Sequence, residues 1–511
     1  MPRGIAAVLA AASGLVLALT LPRPGLCPLG WIGLAPLFLA LSRRPPRESF
    51  KLGWYAGFAF HGLSFYWIYS TCRFALIAVP IAALAWAALC AFQGLAWGGA
   101  ALLGRWLTEA LTPRTKAFGW ALAWTASAVV WERWTPRLPG DLLEYTQWRH
   151  LALIQIGALA GPHALGFIVA LVNAALAQVW DETRGGREED TEGRAALVAG
   201  IALAGFAMVY GAWTLAQRPT NPPDVSTRVE ILQPAIDQYE KWDDRYGAKI
   251  LGVFNELFML SRTAAPKLII WPESALPWAV HEGEGIGLPG EWGRSMGAAQ
   301  IVGAVTRRGP EYFNSVLFVD AEGAPRAIYH KRELVPFGEF VPFAGFFRAW
   351  IGKLNELGGI SRGEDEQALF DTPLGRTAAT ICYEAVFSRW ARLDAASGAR
   401  VIVNVTNDGW YKDTWGPYQH FQTNVFRAVE NRVLVIRSGN TGISAVIDPW
   451  GVVLARQELN TRGRLDVDVP AQAAFPRASA YARRGDWFGL LCLALSGGLA
   501  LIRGARALRR R

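Results

Sequence analysis

Cys382 is the residue around which a reaction can be built. It lies in TAATICYEAVF, residues 377–387, where an apolar stretch, Thr377–Ile381, runs directly into a helix start. A cysteine at such a junction is expected at an exposed elbow, where a thiolate can meet substrate. Two other apolar stretches end on complementary groups: KLIIWPES delivers Glu273, and AIYHKRELVPFGE delivers Lys331 and then Glu339. A thiol is a poor nucleophile until its proton is removed, and a nearby cation lowers its pKa. A carboxylate can take that proton as general base. Thiol, carboxylate and ammonium together make a site for acyl transfer through a covalent intermediate. Each residue alone has a plainer reading: Cys382 as packing, Glu273 as a helix-start residue favoured by the dipole, Lys331 as a solvated charge. Their common placement after apolar strands favours chemistry, because adjacent strands of an α/β sheet deliver their ends to one edge.

The other cysteines, at 27, 72, 90 and 492, lie in or beside apolar runs. They read as small buried hydrophobes, so the polar region is expected to hold no disulfide. No CxxC or Cys/His spacing points to zinc, and neither a metal nor a cofactor is expected. Hydrophobic residues make up 52% of the chain, and mean hydropathy is +0.19. That is too apolar for a water-soluble enzyme and too polar for membrane spans alone, so two regions are expected. The formal charge of +9 sits beside the apolar runs rather than along one face of a polar domain. Membrane topology explains it better than nucleic acid does.

Uncharged runs occupy 4–22, 24–42, 52–72, 74–104, 117–131, 151–180 and 195–217, and an eighth, 487–502, closes the chain. Most reach the ~20 residues that cross a bilayer. Gly161-Pro162 divides the sixth into an interfacial or re-entrant piece, 151–160, and a span, 163–180. The first run is expected to be a span rather than a cleaved signal peptide, since a second apolar run follows at once. Lysine and arginine concentrate in 43–51, 105–116, 181–194 and the tail 503–511. With these segments inside, both termini are cytoplasmic and the polar region faces the opposite side. His61, His163 and Asn173 are the main polar exceptions within the spans, too few for a conduction path. Abundant Gly and Ala suit close helix packing.

The polar region follows a proline-rich linker, RPTNPPD, at 218–224. Strands are expected at 228–233, 267–271, 300–306, 314–320, 326–330, 376–382, 401–406, 433–437, 443–447 and 452–456. Helices fit 240–262, 287–297, 385–397 and 418–431. Nearly continuous apolar strands between amphipathic helices imply α/β layers. The domains are then 1–217, a seven-helix membrane bundle; 218–486, a catalytic domain; and 487–511, a last helix with a basic tail. Residues 332–370 form a long loop carrying Phe337, Phe340, Phe343, Phe346, Phe347 and Trp350. Such loops are often lids. These aromatics either tuck into the domain core or form a mobile flap touching bilayer and acyl chains; the flap is the favoured reading.

IIWPES, HKRELVPFGEFVPF, TICYE and NVTNDGWY together resemble the nitrilase superfamily, with its Glu–Lys–Cys triad. The spans, the LVPFGE stretch and WGPYQHFQTNVFRAVENRVLVIRSGNTGISAVID make the whole chain similar to the superfamily's membrane-embedded members, the apolipoprotein N-acyltransferases. The resemblance implies about eight transmembrane helices plus an α-β-β-α sandwich whose active site faces the membrane. It implies Glu273, Lys331 and Cys382 as the triad, with Trp242, Asn314, Glu339, Tyr383, Glu384 and Trp410 supporting it. It further implies a membrane phospholipid as acyl donor and the α-amine of a diacylglyceryl-cysteine lipoprotein as acceptor, at the bacterial inner membrane with a periplasmic catalytic domain. A monomer is expected. The competing readings are a membrane-tethered amidase or nitrilase-type hydrolase that uses water, and a transporter or receptor whose outer domain only binds.

Overall fold

A computed structural model of the chain describes residues 1–134, 141–184, 191–219, 226–241, 243–261, 264–340, 359–470 and 476–508. They form two compact units. One comprises Met1–Arg218, Thr414–Glu430 and Ser479–Arg511; the other comprises Pro219–Asp413 and Asn431–Ala478.

The first unit is helical. Four of its described helices are long and apolar enough to cross a membrane: Val79–Thr108, Pro162–Arg184, Glu192–Ala216 and Trp487–Arg506. Two more, Pro46–Ser64 and Lys116–Trp134, have 19 residues each but carry charges, Arg47, Glu48 and Lys51 in one and Lys116, Glu132 and Arg133 in the other. The apolar run 24–42 is not one helix. Its prolines and glycines divide it into a 3-10 turn, Cys27–Trp31, and a short helix, Ala35–Leu41. The run 52–72 is broken at Phe65, between Pro46–Ser64 and Tyr66–Phe74. The division at Gly161-Pro162 is present: short helices precede it and Pro162–Arg184 comes after it.

Small residues let these helices approach closely. A Cβ on Gly14 would collide with the Ala56 carbonyl oxygen, and one on Gly211 would collide with that of Ala152. Asn173 spends all its hydrogen-bonding capacity on packing. Its Oδ1 accepts from the Leu34 and Ala35 N–H groups at 2.8 and 3.0 Å, and its Nδ2 donates to the Gly30 and Val169 carbonyls at 2.9 and 2.8 Å. The histidines are not solitary. His61 meets Asp141 at 2.6 Å, and His163 lies 3.2 Å from both Glu132 and Asp486. The helix Gly416–Asn431 contributes Gln419, which accepts from the Trp67 indole at 3.0 Å, and Arg427, which donates to the Tyr145 hydroxyl at 3.0 Å.

The second unit is built on two sheets. Their strands are β1 (Ser226–Gln233), β2 (Leu268–Ile270), β3 (Val280–His281), β4 (Ala299–Arg308), β5 (Glu311–Val319), β6 (Pro325–His330), β7 (Phe370–Thr372), β8 (Gly375–Ile381), β9 (Val401–Thr406), β10 (Leu434–Gly439), β11 (Ser444–Ile447), β12 (Val453–Gln457) and β13 (Gly463–Pro470). The first sheet runs β13-β1-β2-β4-β5-β6, with β3 beside β4; the second runs β12-β11-β10-β9-β8-β7. β2 and β4 are parallel, and two antiparallel pairings, β4 with β5 and β5 with β6, bring β6 back to the same direction. The C-terminal ends of β2 and β6 therefore share one edge. In the second sheet β8, β9 and β10 are mutually parallel.

One face of the first sheet packs under the helices Gly247–Ser261 and Leu288–Met296. Ile250, Phe254 and Leu257 meet Ile269, Trp271, Val302 and Leu317 there, all buried. Contacts between the sheets run from Ser444 Oγ to Gln233 Oε1 at 2.6 Å and from the Phe318 ring to the Phe370 ring. Each strand expected from the sequence has its counterpart. β3, β7 and β13 were not anticipated. The expected helix 240–262 is interrupted, because Asp243 accepts from the Arg245 N–H at 3.0 Å in a local turn that competes with the helix.

Candidate active site

Glu273 follows β2 through Trp271 and Pro272. Trp271 is fixed by stacking on Trp292 at 5.7 Å and by donating its indole N–H to Gln300 Oε1 at 2.8 Å. The segment then passes tightly over β4: a Cβ on Gly303 would collide with the Pro272 carbonyl oxygen and lie 2.8 Å from the Glu273 Cα. Only glycine permits that approach. Ser274 then takes φ +46°, a left-handed conformation that turns the chain away and leaves the Glu273 carboxylate buried at the sheet edge. Its Oε1 accepts from Asn314 Nδ2 at 2.8 Å.

Lys331 is the first residue after β6. Its N–H donates to the Asn314 carbonyl at 2.9 Å, so the ladder with β5 extends one step beyond the strand. Its buried ammonium donates to Glu339 Oε1 at 2.8 Å and lies 3.7 Å from Glu273 Oε1. Burial by itself would favour the neutral amine; Glu339, Glu273 and Cys382 reverse that and hold the lysine well above its ordinary value. Glu339 also receives the Asn314 amide at 3.0 Å and, on its other oxygen, the Val335 N–H at 2.9 Å. Burial raises its pKa, but Lys331 and these donors outweigh it, so Glu339 sits below the usual carboxylate range. Lys331 is thus a permanent cation shared between two carboxylates.

Cys382 begins the 3-10 turn Cys382–Val386 immediately after β8. Its φ is +50°, a region that costs a β-carbon residue roughly 1–2 kcal/mol and that clusters at functional sites. The elbow expected there is present, but it is not exposed: Cys382 retains 7% of its accessible surface. Burial pushes the thiol up to about 12. The Glu273 carboxylate adds to that, and Lys331 opposes it. The thiol is therefore protonated at rest and needs a base to become a nucleophile.

The three groups do not come from neighbouring strands of one sheet. Glu273 and Lys331 sit on the first sheet and Cys382 on the second. What joins them is Glu384, two residues past the cysteine. Its Oε2 accepts from the Ile381 N–H and the Tyr329 hydroxyl, both at 2.7 Å, and its Oε1 accepts from the N–H groups of Arg332 and Glu333, the latter at 3.0 Å. One carboxylate therefore binds the residue before Cys382 and the residues after Lys331. Arg332 completes the brace by pairing with both oxygens of Asp394, at 3.0 and 2.7 Å, between the rings of Tyr329 and Trp390.

The family model for the apolipoprotein N-acyltransferase N-terminal domain matches residues 13–175, and that for carbon-nitrogen hydrolases matches 215–475. The apolipoprotein N-acyltransferase of Geobacter metallireducens is 32% identical over 99% of this chain and 95% of its own length. This chain belongs to the apolipoprotein N-acyltransferase family. Its relatives of that name in Caulobacter vibrioides, at 33% identity over 96% of this chain and 93% of theirs, and in Nostoc sp., at 29% over 92% and 93%, also align over nearly full length. With the matched carbon-nitrogen hydrolase region, the two-sheet unit is a nitrilase-like α/β fold.

The remaining expected residues of this N-acyltransferase family member divide into four sets. Asn314, Glu339 and Glu384 touch the constellation through the hydrogen bonds given above. Tyr383 is buried edge-on against Phe387, at 4.9 Å between ring centroids, and Trp410 is exposed at the end of the 3-10 turn Asp408–Trp410. Trp242, Phe343, Phe346, Phe347 and Trp350 lie outside the described residues. At the start of the long loop, Phe337 keeps 60% of its surface and Phe340 37%, on a turn closed by the Phe337 N–H donating to the Phe340 carbonyl. The loop's far end is tied back at Ser361, whose N–H donates to the Tyr312 carbonyl, and at Gly363, whose N–H donates to that of Lys331.

Two groups near the site were missed. Asp408 and Arg437 form a fully buried ion pair at 2.7 Å, and Arg437 also donates to Asn404 Oδ1 at 2.7 Å. Asn404 Nδ2 in turn reaches the Cys382 carbonyl at 3.5 Å. Lys241, in a segment that reads as solvated, is buried against Glu273.

Proposed function

We propose that this chain transfers an acyl group from a membrane phospholipid, by way of Cys382, to the N-terminal α-amine of a diacylglyceryl-cysteine lipoprotein. Glu273, Lys331 and Cys382 are the reacting triad in this reading. The observation that carries it is the convergence of a buried thiol, a carboxylate and a doubly held ammonium in a chain that aligns end to end with apolipoprotein N-acyltransferases.

Glu273 removes the thiol proton as the sulfur attacks the ester carbonyl of the donor. Lys331 and the N–H after Cys382 receive the developing oxyanion. The carbon–oxygen bond breaks, Glu273 returns the proton to the leaving alkoxide, and a lysophospholipid departs from a thioester. The acceptor amine then attacks. A carbon–nitrogen bond forms, the carbon–sulfur bond breaks, and Glu273 carries the amine proton to the leaving thiolate. The sites of both steps are one, so order is ping-pong. Burial of Cys382 serves the second step, since water near the thioester would divert it to hydrolysis. The amine wins when it is held beside the carbonyl.

Both reactants are bilayer lipids in this reading, which gives the apolar helices their purpose. We assign about eight transmembrane segments, the broken run 24–42 among them, with 1–217 and 487–511 as membrane parts and 218–486 as a periplasmic catalytic domain. Both termini are cytoplasmic, in a monomeric inner-membrane protein. The charged ends of Pro46–Ser64 and Lys116–Trp134 are placed at the membrane–water boundary. Phe337 and Phe340 are the described part of the flap assigned to meet acyl chains. Asn314, Glu339, Trp242, Tyr383, Glu384 and Trp410 support the triad.

Intact mass after incubation with phospholipid alone tests the first step: an acyl adduct on Cys382 is expected. Addition of a diacylated lipopeptide then tests the second, with the acyl mass moving to the peptide amine. Release of free fatty acid alone would assign a hydrolase instead, and no adduct would remove Cys382 from its role.

A further inference from the structure

Lys241 closes the helix Gln238–Lys241, and its ammonium donates to the main-chain carbonyl of Glu273 at 2.6 Å. Among the described residues no carboxylate lies within ion-pair distance of it. A buried ammonium without a direct counter-ion is expensive to keep, so its charge needs an account.

The charges around Cys382 supply one. Lys331 is closer to Glu339, at 2.8 Å, than to Glu273, at 3.7 Å. Asp408 is matched by Arg437. The Glu273 carboxylate has the shared Lys331 ammonium within 3.7 Å, and Lys241 adds a second positive charge at the Glu273 main chain. Glu273 is also the foremost of the groups that favour the charged form of Lys241, ahead of Cys382; burial opposes them and draws the lysine down to about 8. The lysine is held on a fixed platform. Gln238 accepts from Asn407 Nδ2 at 2.6 Å, and Ile236 exchanges hydrogen bonds with the Asn440 side chain at 3.0 and 2.8 Å. The Glu273 main chain is thus clasped from both sides, by the bare Gly303 backbone and by the Lys241 ammonium.

We propose that Lys241 is a positioning residue of the acyl-transfer site, which fixes the main chain of Glu273 and with it the placement of the carboxylate. This rests on the assignment of Glu273 as the base. The other titratable and charged groups of the region include Lys331 and Glu339 after β6, Cys382 after β8, Tyr411, and Asp408 paired with Arg437.

Full-length protein in detergent can be acylated with a short-chain p-nitrophenyl ester, and the burst of p-nitrophenolate followed against pH. This probe does not depend on which lipid is the natural donor. In Lys241→Met the burst at neutral pH should slow by at least ~10-fold, within the range a general base supplies. Lys241→Arg should restore most of the rate, and Lys241→Gln serves if the methionine variant does not fold. A Lys241→Met or Lys241→Gln profile that overlays the wild type overturns the proposal while leaving the triad standing. A wild-type burst that persists in Cys382→Ala overturns the triad and the proposal together.

Discussion

Both units bury charge in pairs, the helical one in His61 with Asp141, His163 with Glu132 and Asp486, and Arg427 with Glu430, but the helical unit and the α/β unit differ in their outward faces and in how their elements pack. In the first, outward faces are apolar: Val198, Ile201, Phe206, Val209 and Trp213 of Glu192–Ala216 are all exposed. Inward contacts are made by glycine and alanine, and a polar group such as Asn173 has every hydrogen-bonding atom occupied by neighbouring backbone. In the second, the largest fully buried side chains include Trp271, Trp390, Lys331, Arg332 and Arg437. The difference follows from the surroundings each fold is made for. Lipid gives helices no hydrophobic reason to associate, so shape and hydrogen bonds hold them. Water drives a large-residue core together, and charges inside it persist only when paired. In the α/β unit those pairs gather where Glu273, Lys331 and Cys382 meet, which is a reason to read them as chemistry rather than as stability.

The strongest way to break that reading is Cys382→Ala, which should lower acyl transfer by at least ~10³-fold, as loss of a nucleophile does, with little change in melting temperature. The wild-type thiol supplies a pH test. Raised to about 12 by burial, it should react with iodoacetamide ever faster from pH 8 to 11 rather than level off near its ordinary value. The sign for stability agrees: its contribution is full below the unfolded thiol's pKa and is lost as pH climbs through about 12. Early levelling would show an activated resting thiolate.

Next in size is the brace. Glu384→Ala removes the acceptor of the Tyr329 hydroxyl proton and of three backbone N–H groups, so unfolding should become easier by about 3 kcal/mol and acylation should fall with it. A variant with unchanged denaturation midpoint would show that the sheets are aligned by other means. The contrast between surfaces comes third. Val209→Asp, at a residue 70% exposed, should cost about 2–3 kcal/mol if that face meets lipid. Leu393→Asp, 40% exposed in the α/β unit, should stay within ~0.5 kcal/mol. Equal small effects on thermal unfolding would remove the lipid-facing assignment. The smallest change is expected from Phe337→Ala: turnover several-fold slower with a melting point nearly unmoved. A stability loss typical of a core aromatic would place Phe337 inside.

Much of this was legible because it is local. The apolar runs leading to Glu273, Lys331 and Cys382 announce strands, and the reactive group at the end of each run is plain in the sequence. β13 carries a period-two pattern, Leu465, Val467 and Val469 alternating with Arg464, Asp466 and Asp468, but a search for continuous apolar runs passes over a half-buried strand. β3 and β7 have two and three residues and leave no pattern to find. Lys241 sits among Tyr239, Glu240, Asp243 and Asp244, where composition says surface; tertiary packing buries it, with its ammonium on the Glu273 carbonyl. Asp408 and Arg437 are ordinary charges until β9 and β10 lie side by side.

The chain's own order of residues determined which groups stand at strand ends, where small residues allow helices to touch, and that apolar and polar regions alternate as they do. The tertiary structure decided that the triad spans two sheets, that Glu384 ties them, and that the nucleophile is sealed rather than displayed. The physical reason is distance along the chain. Propensity and periodicity act over a few residues, whereas burial, ion pairing and the resulting proton affinities arise only when segments far apart in sequence exclude water together.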